Sequence, residues 1–185
     1  IDENTKLLAR YAKIVQENNM VPIVEPEVLM DGIHNIEECY DATSRTLKSL
    51  FQNLEKENVD IKGTILKPNM ITPGSEHQEK MSVETVAKET LRCLHECVPE
   101  SLPAITFLSG GQSETVSTEH LDAMNKIGGF PWKLSFSYGR ALQAGALKAW
   151  LGKSENVDAA QSAFSHRALM NKKAALGQWS MELEV

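Results

Sequence analysis

Apolar residues along this chain fall into short unbroken runs, separated by longer stretches in which they recur every three or four positions. The short runs are rich in β-forming residues and are apolar on both sides of the pleat, which is typical of strands buried on both faces. They predict four strands, over residues 21–24, 61–67, 104–109 and 134–137. The longer stretches have the periodicity of amphipathic helices.

Helices are predicted before the first strand, in each interval between strands, and twice after the last strand. The apolar stripe of the first helix, which such a helix normally turns toward a core, consists of Leu7, Leu8, Tyr11, Ile14 and Val15. The second helix has a longer stripe that runs from Ile36 to Leu54, with charges on the opposite face. No strong pattern follows Gly177, so residues 178–185 are expected to fray.

This alternation of strands and helices implies an α/β fold with a parallel sheet and right-handed crossovers. Two architectures fit it, the open doubly wound sheet and the closed (β/α)8 TIM barrel. No glycine-rich fingerprint follows the first strand, which counts against the dinucleotide-binding form of the open sheet. Four βα units with terminal helices would be half of a barrel, and residues 1–185 are predicted to form this one domain. A half-barrel by itself exposes two unpaired strand edges.

Composition narrows the class of function. The net charge of -6 over 185 residues provides no basic surface for nucleic acid or an anionic membrane, and the longest apolar runs are too short to span a bilayer. Three cysteines are too few, and odd in number, for a disulfide framework, which favours a reducing, cytoplasmic location. The chain opens on Ile1 without a signal-like segment, which suggests a processed product or a piece of a longer protein.

Charged residues stand at the ends of the first two strands. Glu25 and Glu27 are two residues apart, a spacing that directs both side chains to one side of an extended chain, and paired carboxylates suit proton transfer. Lys67 ends the second strand; lysine is rarely buried without a reason, and a neutral lysine amine attacks a carbonyl to form an imine. The alternatives are a solvated acidic strand end and a lysine that extends to solvent.

The third and fourth strands end in segments that suit an anion. Ser109, Gly110 and Gly111 open a loop whose N–H groups can approach a phosphate closely, although an ordinary Gly-Gly turn explains it equally. After the fourth strand, Gly139 permits close approach at a helix start, and Arg140 offers a guanidinium fork to phosphate oxygens. Loops after strands seven and eight are the usual phosphate site of (β/α)8 barrels, which fits if these strands form the second half.

One cluster has the residue types of a zinc site, namely Cys93, His95 and Cys97. A helix would spread these three side chains around its circumference, and no second ligand cluster accompanies them. Helix packing is therefore predicted here in place of zinc binding.

Five strings resemble the class I fructose-1,6-bisphosphate aldolases in order and spacing: LARYA, VPIVEPEVL, GTILKPNMITPG, FLSGGQSE and LSFSYGRALQAGALKAW. The resemblance extends to about Met170 and corresponds to the C-terminal half of that family's chain. It implies a (β/α)8 barrel, commonly a homotetramer, that cleaves fructose 1,6-bisphosphate to dihydroxyacetone phosphate and glyceraldehyde 3-phosphate. No metal or other cofactor is implied.

The resemblance also implies residue roles. It places the Schiff-base lysine at Lys67 and the acid/base glutamate at Glu25, with Glu27 hydrogen-bonding near the lysine. The residues implied to hold the ketose 1-phosphate are Ser109, Gly110, Gly111, Ser137, Gly139 and Arg140. The family's first-strand aspartate, two further lysines, 6-phosphate residues and C-terminal tyrosine have no counterpart in these 185 residues. The chain alone is therefore expected to be inactive.

Two other functions stay open. Class I aldolases that resemble this chain also bind actin and adhesin tails, so a non-catalytic scaffold is one alternative. A different Schiff-base barrel aldolase, such as a deoxyribose-phosphate enzyme, is the other, although LSGGQS and SYGRALQ argue against it.

Overall fold

The computed structural model describes residues 1–184 and confirms the predicted order of helices and strands. The helices are α1 (Asp2–Glu17), α2 (Ile36–Lys56), α3 (Val83–Cys97), α4 (Glu114–Ile127), α5 (Arg140–Trp150) and α6 (Val157–Ala175). The strands are β1 (Ile23–Val24), β2 (Ile65–Leu66), β3 (Ala104–Phe107) and β4 (Lys133–Phe136). No described helix is both long enough and apolar enough to cross a membrane.

The sheet has the order β1-β2-β3-β4, and each neighbouring pair is parallel. Ile23 pairs with Ile65, Ile65 with Ala104, and Ala104 with Lys133, so the four strands start nearly level. Their carboxyl ends therefore lie together at one edge, where the candidate site residues were expected.

The predicted strand over residues 61–67 is wrong in its first half. Ile61–Gly63 form a 3₁₀ turn, and β2 contains only Ile65–Leu66. The Gln16 side chain on α1 donates to the carbonyl oxygens of Asp60 (2.8 Å) and Gly63 (3.3 Å). Because a side chain satisfies these carbonyls, the segment needs no neighbouring strand.

The apolar stripe of α2 is buried as predicted. An Asn35–Glu38 capping box starts this helix, with the Asn35 side chain accepting from the Glu38 N–H at 2.9 Å. The buried members of the stripe are Ile36, Cys39, Tyr40, Thr43, Leu47, Leu50, Phe51 and Leu54. This face of α2 supplies much of the hydrophobic core.

The expected burial of the α1 stripe is wrong for three of its five residues, whereas Leu8 packs partly buried against the core. Leu7 is 66% exposed, and Tyr11 and Ile14 are also exposed. The residues that α1 buries are small, Thr5, Ala9 and Ala12. Small side chains at this spacing let α1 approach α2 closely, and Thr5 bonds there to Ser49 at 2.8 Å and to Asn53 at 3.0 Å. The buried face of α1 is therefore the one whose small residues let the two helix backbones approach closely, and not the one with the bulkiest apolar residues.

The segment predicted to fray is held in place over residues 178–184. Trp179 is buried, its N–H donates to Asp122 Oδ1 at 2.9 Å, and its indole donates to Glu184 Oε1 at 2.8 Å. Arg167 on α6 also pairs with Glu184. The segment has no apolar periodicity because one tryptophan and charge-assisted hydrogen bonds anchor it. Val185 lies outside the described residues.

Candidate active site

The ends of β1 and β2 bring Glu25 and Lys67 together. The Lys67 N–H donates to the Val24 carbonyl across the sheet at 2.8 Å, which extends the pairing of the strands to this residue. Lys67 Nζ lies 2.9 Å from Glu25 Oε1, and the two side chains are 20% and 44% exposed. A contact of this length permits direct proton transfer between the two groups.

Glu27 forms no ion pair with Lys67 within residues 1–184. Its N–H donates to the Glu25 carbonyl at 3.1 Å, which closes a tight turn over Pro26. The turn ends the extended geometry on which the expected same-side orientation depended. The Glu27 side chain instead lines a neighbouring cavity of about 680 Å³, while the ion-pair partner of Lys67 is Glu25.

That cavity also brings together three of the residues predicted to bind phosphate. Gly110, Gly111 and Arg140 line it along with Glu27. Ser109 is buried at the end of β3, and Ser137 follows β4, with its N–H donating to the Phe107 carbonyl at 2.9 Å. The loops after β3 and β4 are thus adjacent and open onto one cavity.

The glycine loop after β3 has a backbone that requires glycine. Gly110 and Gly111 have φ of +54° and +78°, in the left-handed region, and Gln112 N–H donates to Ser109 O at 3.0 Å. A Cβ at Gly110 would lie 3.0 Å from Met30 Cγ, whereas one at Gly111 would meet nothing within 4 Å. Successive N–H groups in such turns form concavities that accept anions, and here the Gly111 side is open.

Helix α5 contributes a positive end to the same region. Gly139 is its N-cap and supplies no side-chain cap, so the first N–H groups of the helix are available to an anion. Arg140 is the first helical residue. Gly111 and Arg140 also line a second cavity of about 340 Å³. Lys148, about two turns further along α5, lines it as well. Arg140 and the helix end are groups of the kind that bind phosphate, while the Glu114 carboxylate also lines the smaller cavity.

Sequence reasoning assigned no role to His120. His120 is buried on α4, lines the larger cavity, and places Nδ1 2.5 Å from Gln112 Oε1. Burial lowers the pKa of His120 to about 4, so a neutral ring donates to Gln112 near neutral pH. No spacing in the sequence links these residues, because their contact depends on how the glycine loop folds back on α4.

Asn69 is the second residue that the sequence reasoning missed. It is buried after β2 and connects three elements: Oδ1 accepts from Val28 N–H at 3.2 Å, and Nδ2 donates to Thr43 Oγ1 at 3.0 Å and to Met70 O at 3.1 Å. These bonds hold the chain just after Glu25 and just after Lys67 against α2. The only indication of a role for Asn69 in the sequence was its position in the string KPNM.

The loops after β1 and β2 are also joined through their backbones. Gly74 N–H donates to His34 O at 2.8 Å, and Ser75 N–H to Met30 O at 2.7 Å. A Cβ on Gly74 would lie 2.2 Å from the Gly32 carbonyl oxygen, so the two loops approach more closely than any side chain allows. This contact makes one wall of the larger cavity rigid.

The cysteine–histidine cluster is arranged as helix geometry predicts. Cys93 and Cys97 are buried on α3, whereas His95 is exposed and packs on Trp132 with ring centroids 5.3 Å apart. The histidine thus points away from the two thiols.

Comparison with known proteins gives one consistent result. The profile of the glycolytic family "Fructose-bisphosphate aldolase class-I" matches residues 1–185. Cytosolic fructose-bisphosphate aldolase 4 of Arabidopsis thaliana is 52% identical over an alignment of 186 positions that covers 100% of this chain and 47% of that protein. Fructose-bisphosphate aldolase B of Ovis aries is 52% identical over 180 residues, 97% of this chain and 50% of that protein.

A solved structure agrees with these sequences. Fructose-bisphosphate aldolase from Plasmodium falciparum, in a ternary complex with TRAP and a small-molecule inhibitor, superposes with a TM-score of 0.95 at 46% identity. The superposition covers 97% of this chain and 52% of that one. The fold therefore defines a partial (β/α)8 barrel, corresponding to the C-terminal half, with its charged residues at the carboxyl ends of the strands.

Within that class, the chain belongs to the class I fructose-bisphosphate aldolase family. It spans about half the length of the curated relatives it matches. The resemblance and the half-barrel predicted from the sequence are both confirmed.

Proposed function

We propose that this chain carries the Schiff-base half of an aldolase that cleaves fructose 1,6-bisphosphate to dihydroxyacetone phosphate and glyceraldehyde 3-phosphate. The observation that carries the proposal is the 2.9 Å contact of Lys67 Nζ with Glu25 Oε1 at the carboxyl ends of β2 and β1. An amine and a carboxyl group able to exchange a proton are thus adjacent, at the end of the sheet where the loops with Gly110, Gly111 and Arg140 also lie. The names of the relatives support the substrate.

In the proposed reaction, the neutral Lys67 amine attacks the C2 carbonyl of the ketose, and Glu25 protonates the departing hydroxyl, which leaves as water. A base then removes the proton of the C4 hydroxyl, and the iminium accepts the electron pair of the breaking C3–C4 bond. The aldehyde product leaves, the enamine is protonated, and water then hydrolyses the imine to restore Lys67. Glu27, which lines the adjoining cavity, is proposed to hydrogen-bond near the lysine.

The phosphate on C1 would be held by the loops after β3 and β4. The proposed ligands are the backbone of Ser109, Gly110 and Gly111, the segment with Ser137 and Gly139, and the guanidinium of Arg140. Arg140 and the two glycines line one cavity, which supports this assignment. A fixed phosphate positions the carbonyl against the lysine, an entropic advantage of about 7–11 kcal/mol in well-oriented systems.

The proposal concerns the full-length enzyme, expected to be cytoplasmic and homotetrameric as the resemblance implies. The relatives are about twice as long as this chain, and the remaining catalytic residues are expected outside it. We therefore expect the 185-residue chain alone to show no turnover. Measurable cleavage of fructose 1,6-bisphosphate by that purified chain would contradict this expectation.

A scaffold role is the second candidate function. The Plasmodium falciparum relative was solved in complex with TRAP, which favours a binding surface for adhesin tails on proteins of this fold, and actin is a further candidate partner. A protein that binds such tails but forms no imine would have the scaffold role alone.

Borohydride trapping distinguishes these proposals. The full-length protein is incubated with dihydroxyacetone phosphate, reduced and digested, and the peptide with Lys67 is expected to gain the mass of the reduced adduct. Lys67→Met keeps a similar apolar stem and should abolish the adduct while the protein stays folded. The matched control is Lys62→Met, which removes an exposed lysine five residues earlier and should leave trapping intact. No adduct at Lys67 in the wild type would exclude the enzymatic proposal.

Two further measurements define the substrate. Arg140→Ala should weaken binding of the phosphorylated ketose, and unchanged affinity would remove Arg140 from the phosphate site. A panel that includes deoxyribose 5-phosphate separates the proposed activity from that of other Schiff-base barrel aldolases.

A further inference from the structure

Cys93 and Cys97 form a thiol pair that the proposed reaction does not use. They lie one turn apart on α3 and are 1% and 8% exposed. Cys97 Sγ lies 3.3 Å from Ser44 Oγ on α2. Because α3 leads into β3, Cys97 sits at the amino-terminal edge of the sheet, opposite the candidate active site.

The two sulfurs interact with each other. The hydrogen bond from the Cys93 thiol, assisted by Ser44 and by the nearby Lys48 ammonium, lowers the pKa of Cys97 despite its burial. The same contact, together with burial, raises the pKa of Cys93. Loss of a proton from the pair is therefore favoured at Cys97, and the thiolate is the nucleophilic form of a cysteine.

A cavity gives a small reagent access to this pair. Cys97 is the last residue of α3 and lines a cavity of about 680 Å³, whose other walls include Lys48, Phe51 and Gln52 of α2. Helix ends fray by a residue or two. A molecule in the cavity thus meets Cys97 first, and reaction at Cys93 requires the last turn of α3 to open.

The spacing of the pair selects the kind of ligand. Residues four apart on a helix have Cβ atoms about 5–6 Å apart, whereas a disulfide needs about 3.5–4.5 Å. A direct S–S bond would distort α3, but one atom bonded to both sulfurs spans the longer distance. Zinc in a structural site is bound by four ligands. Within residues 1–184 no group of three or more His, Cys, Asp or Glu is placed to hold a metal ion, so the two thiols have no further protein ligands for zinc.

We propose that Cys93 and Cys97 form a dithiol site that captures a trivalent arsenical, with one arsenic atom bonded to both sulfurs. An organoarsine oxide, R–As=O, would become R–As(S–)₂. Two As–S bonds form and two S–H bonds break, and the oxygen leaves as water with both protons, so that nothing is oxidised or reduced. The site does not depend on the aldolase reaction.

Phenylarsine oxide tests the proposal on the folded full chain. After removal of excess reagent, intact mass spectrometry should show one phenylarsenic group per chain with loss of two hydrogens. Peptide mapping should place it on the segment that carries Cys93 and Cys97. The adduct should survive an excess of a monothiol and be removed by a dithiol, because only a second dithiol competes with two As–S bonds.

Single substitutions provide the controls. Cys93→Ala and Cys97→Ala should each lose the monothiol-resistant adduct, whereas Cys39→Ala, which removes the third buried cysteine, should keep it. Circular dichroism checks that each variant is folded. If a variant is not folded, peptide mapping of the wild type still shows which cysteines bind the arsenic. Arsenic bound through Cys39, an adduct retained by either Cys93→Ala or Cys97→Ala, or no adduct on the folded wild type would overturn the proposal.

Discussion

Replacement of His120 by glutamine should change how the stability of the protein depends on pH. Burial lowers the pKa of His120 in the folded chain to about 4, against an ordinary value of 6.5. Between these values the unfolded chain binds a proton at this position and the folded chain does not. Protonation therefore favours unfolding, and stability is lost as the pH falls from about 6.5 to about 4.

The size of this effect follows from the same two values. One pKa unit corresponds to about 1.36 kcal/mol, so His120 accounts for a loss of about 3 kcal/mol, as an upper bound, across the window. Domains of this kind are stable by about 5–15 kcal/mol. A single buried imidazole would thus remove a substantial part of the free energy of unfolding in mild acid.

Glutamine at position 120 keeps an amide within reach of Gln112 but does not titrate. We expect His120→Gln to be less stable near neutral pH, by about 1–3 kcal/mol, because the 2.5 Å bond to Gln112 is lost or lengthened. Between pH 6.5 and 4 its stability should fall less steeply than that of the wild type.

Urea unfolding at a series of pH values, followed by tryptophan fluorescence, measures both effects. Carboxylates titrate in the same range, but they are common to both proteins and cancel in the difference. His95→Gln, which removes an exposed histidine, is the control and should keep the wild-type slope. If wild type and His120→Gln lose stability in parallel, burial does not control the charge of this ring and the reasoning is refuted.

Three further substitutions test the packing around the site by chemical denaturation. Gly74→Ala should destabilise by at least about 1–3 kcal/mol, because its Cβ would lie 2.2 Å from the Gly32 carbonyl oxygen; a stability equal to wild type would show that the loops separate easily. Tyr138→Phe removes the hydroxyl that donates to Ser117 O at 2.8 Å and should cost about 1–3 kcal/mol, whereas no loss would mean that water replaces it. Leu66→Ala empties a fully buried position of β2 and should cost about 2–5 kcal/mol; a loss below that range would indicate collapse of the cavity.

Much of the fold could be predicted because periodicity and strand alternation follow directly from burial. The bulky stripe of α2 was predicted correctly for that reason. The same logic failed for α1, because a seam of small residues such as Ala9 and Ala12 has little apolar area and is hidden by larger exposed neighbours such as Leu7. The hydrophobic pattern of a sequence shows where bulky apolar side chains lie. A close contact between two helices depends also on small side chains at the contact.

In the candidate site, too, some contacts could be predicted from the sequence and others could not. Lys67 and Glu25 were placed near each other because parallel strands end at a common edge, and the 2.9 Å contact agrees with that reasoning. The placement of Glu27 depended on a turn at Pro26, and the His120–Gln112 contact depended on a loop that folds back on α4. Strand register is a property of the sequence pattern, but turn geometry after a strand is decided by tertiary contacts.

Strand order in this sheet is the same as chain order, and this has a consequence for how the chain acquires its structure. Each of the described strands pairs only with the strand before or after it in the chain, so no pairing waits for a distant segment. Paired strands are separated by a single crossover, so the loop-closure entropy lost before they pair is smaller than for strands from distant parts of the chain. The helix–strand units can therefore assemble one after another as they leave the ribosome, each using its predecessor as a template.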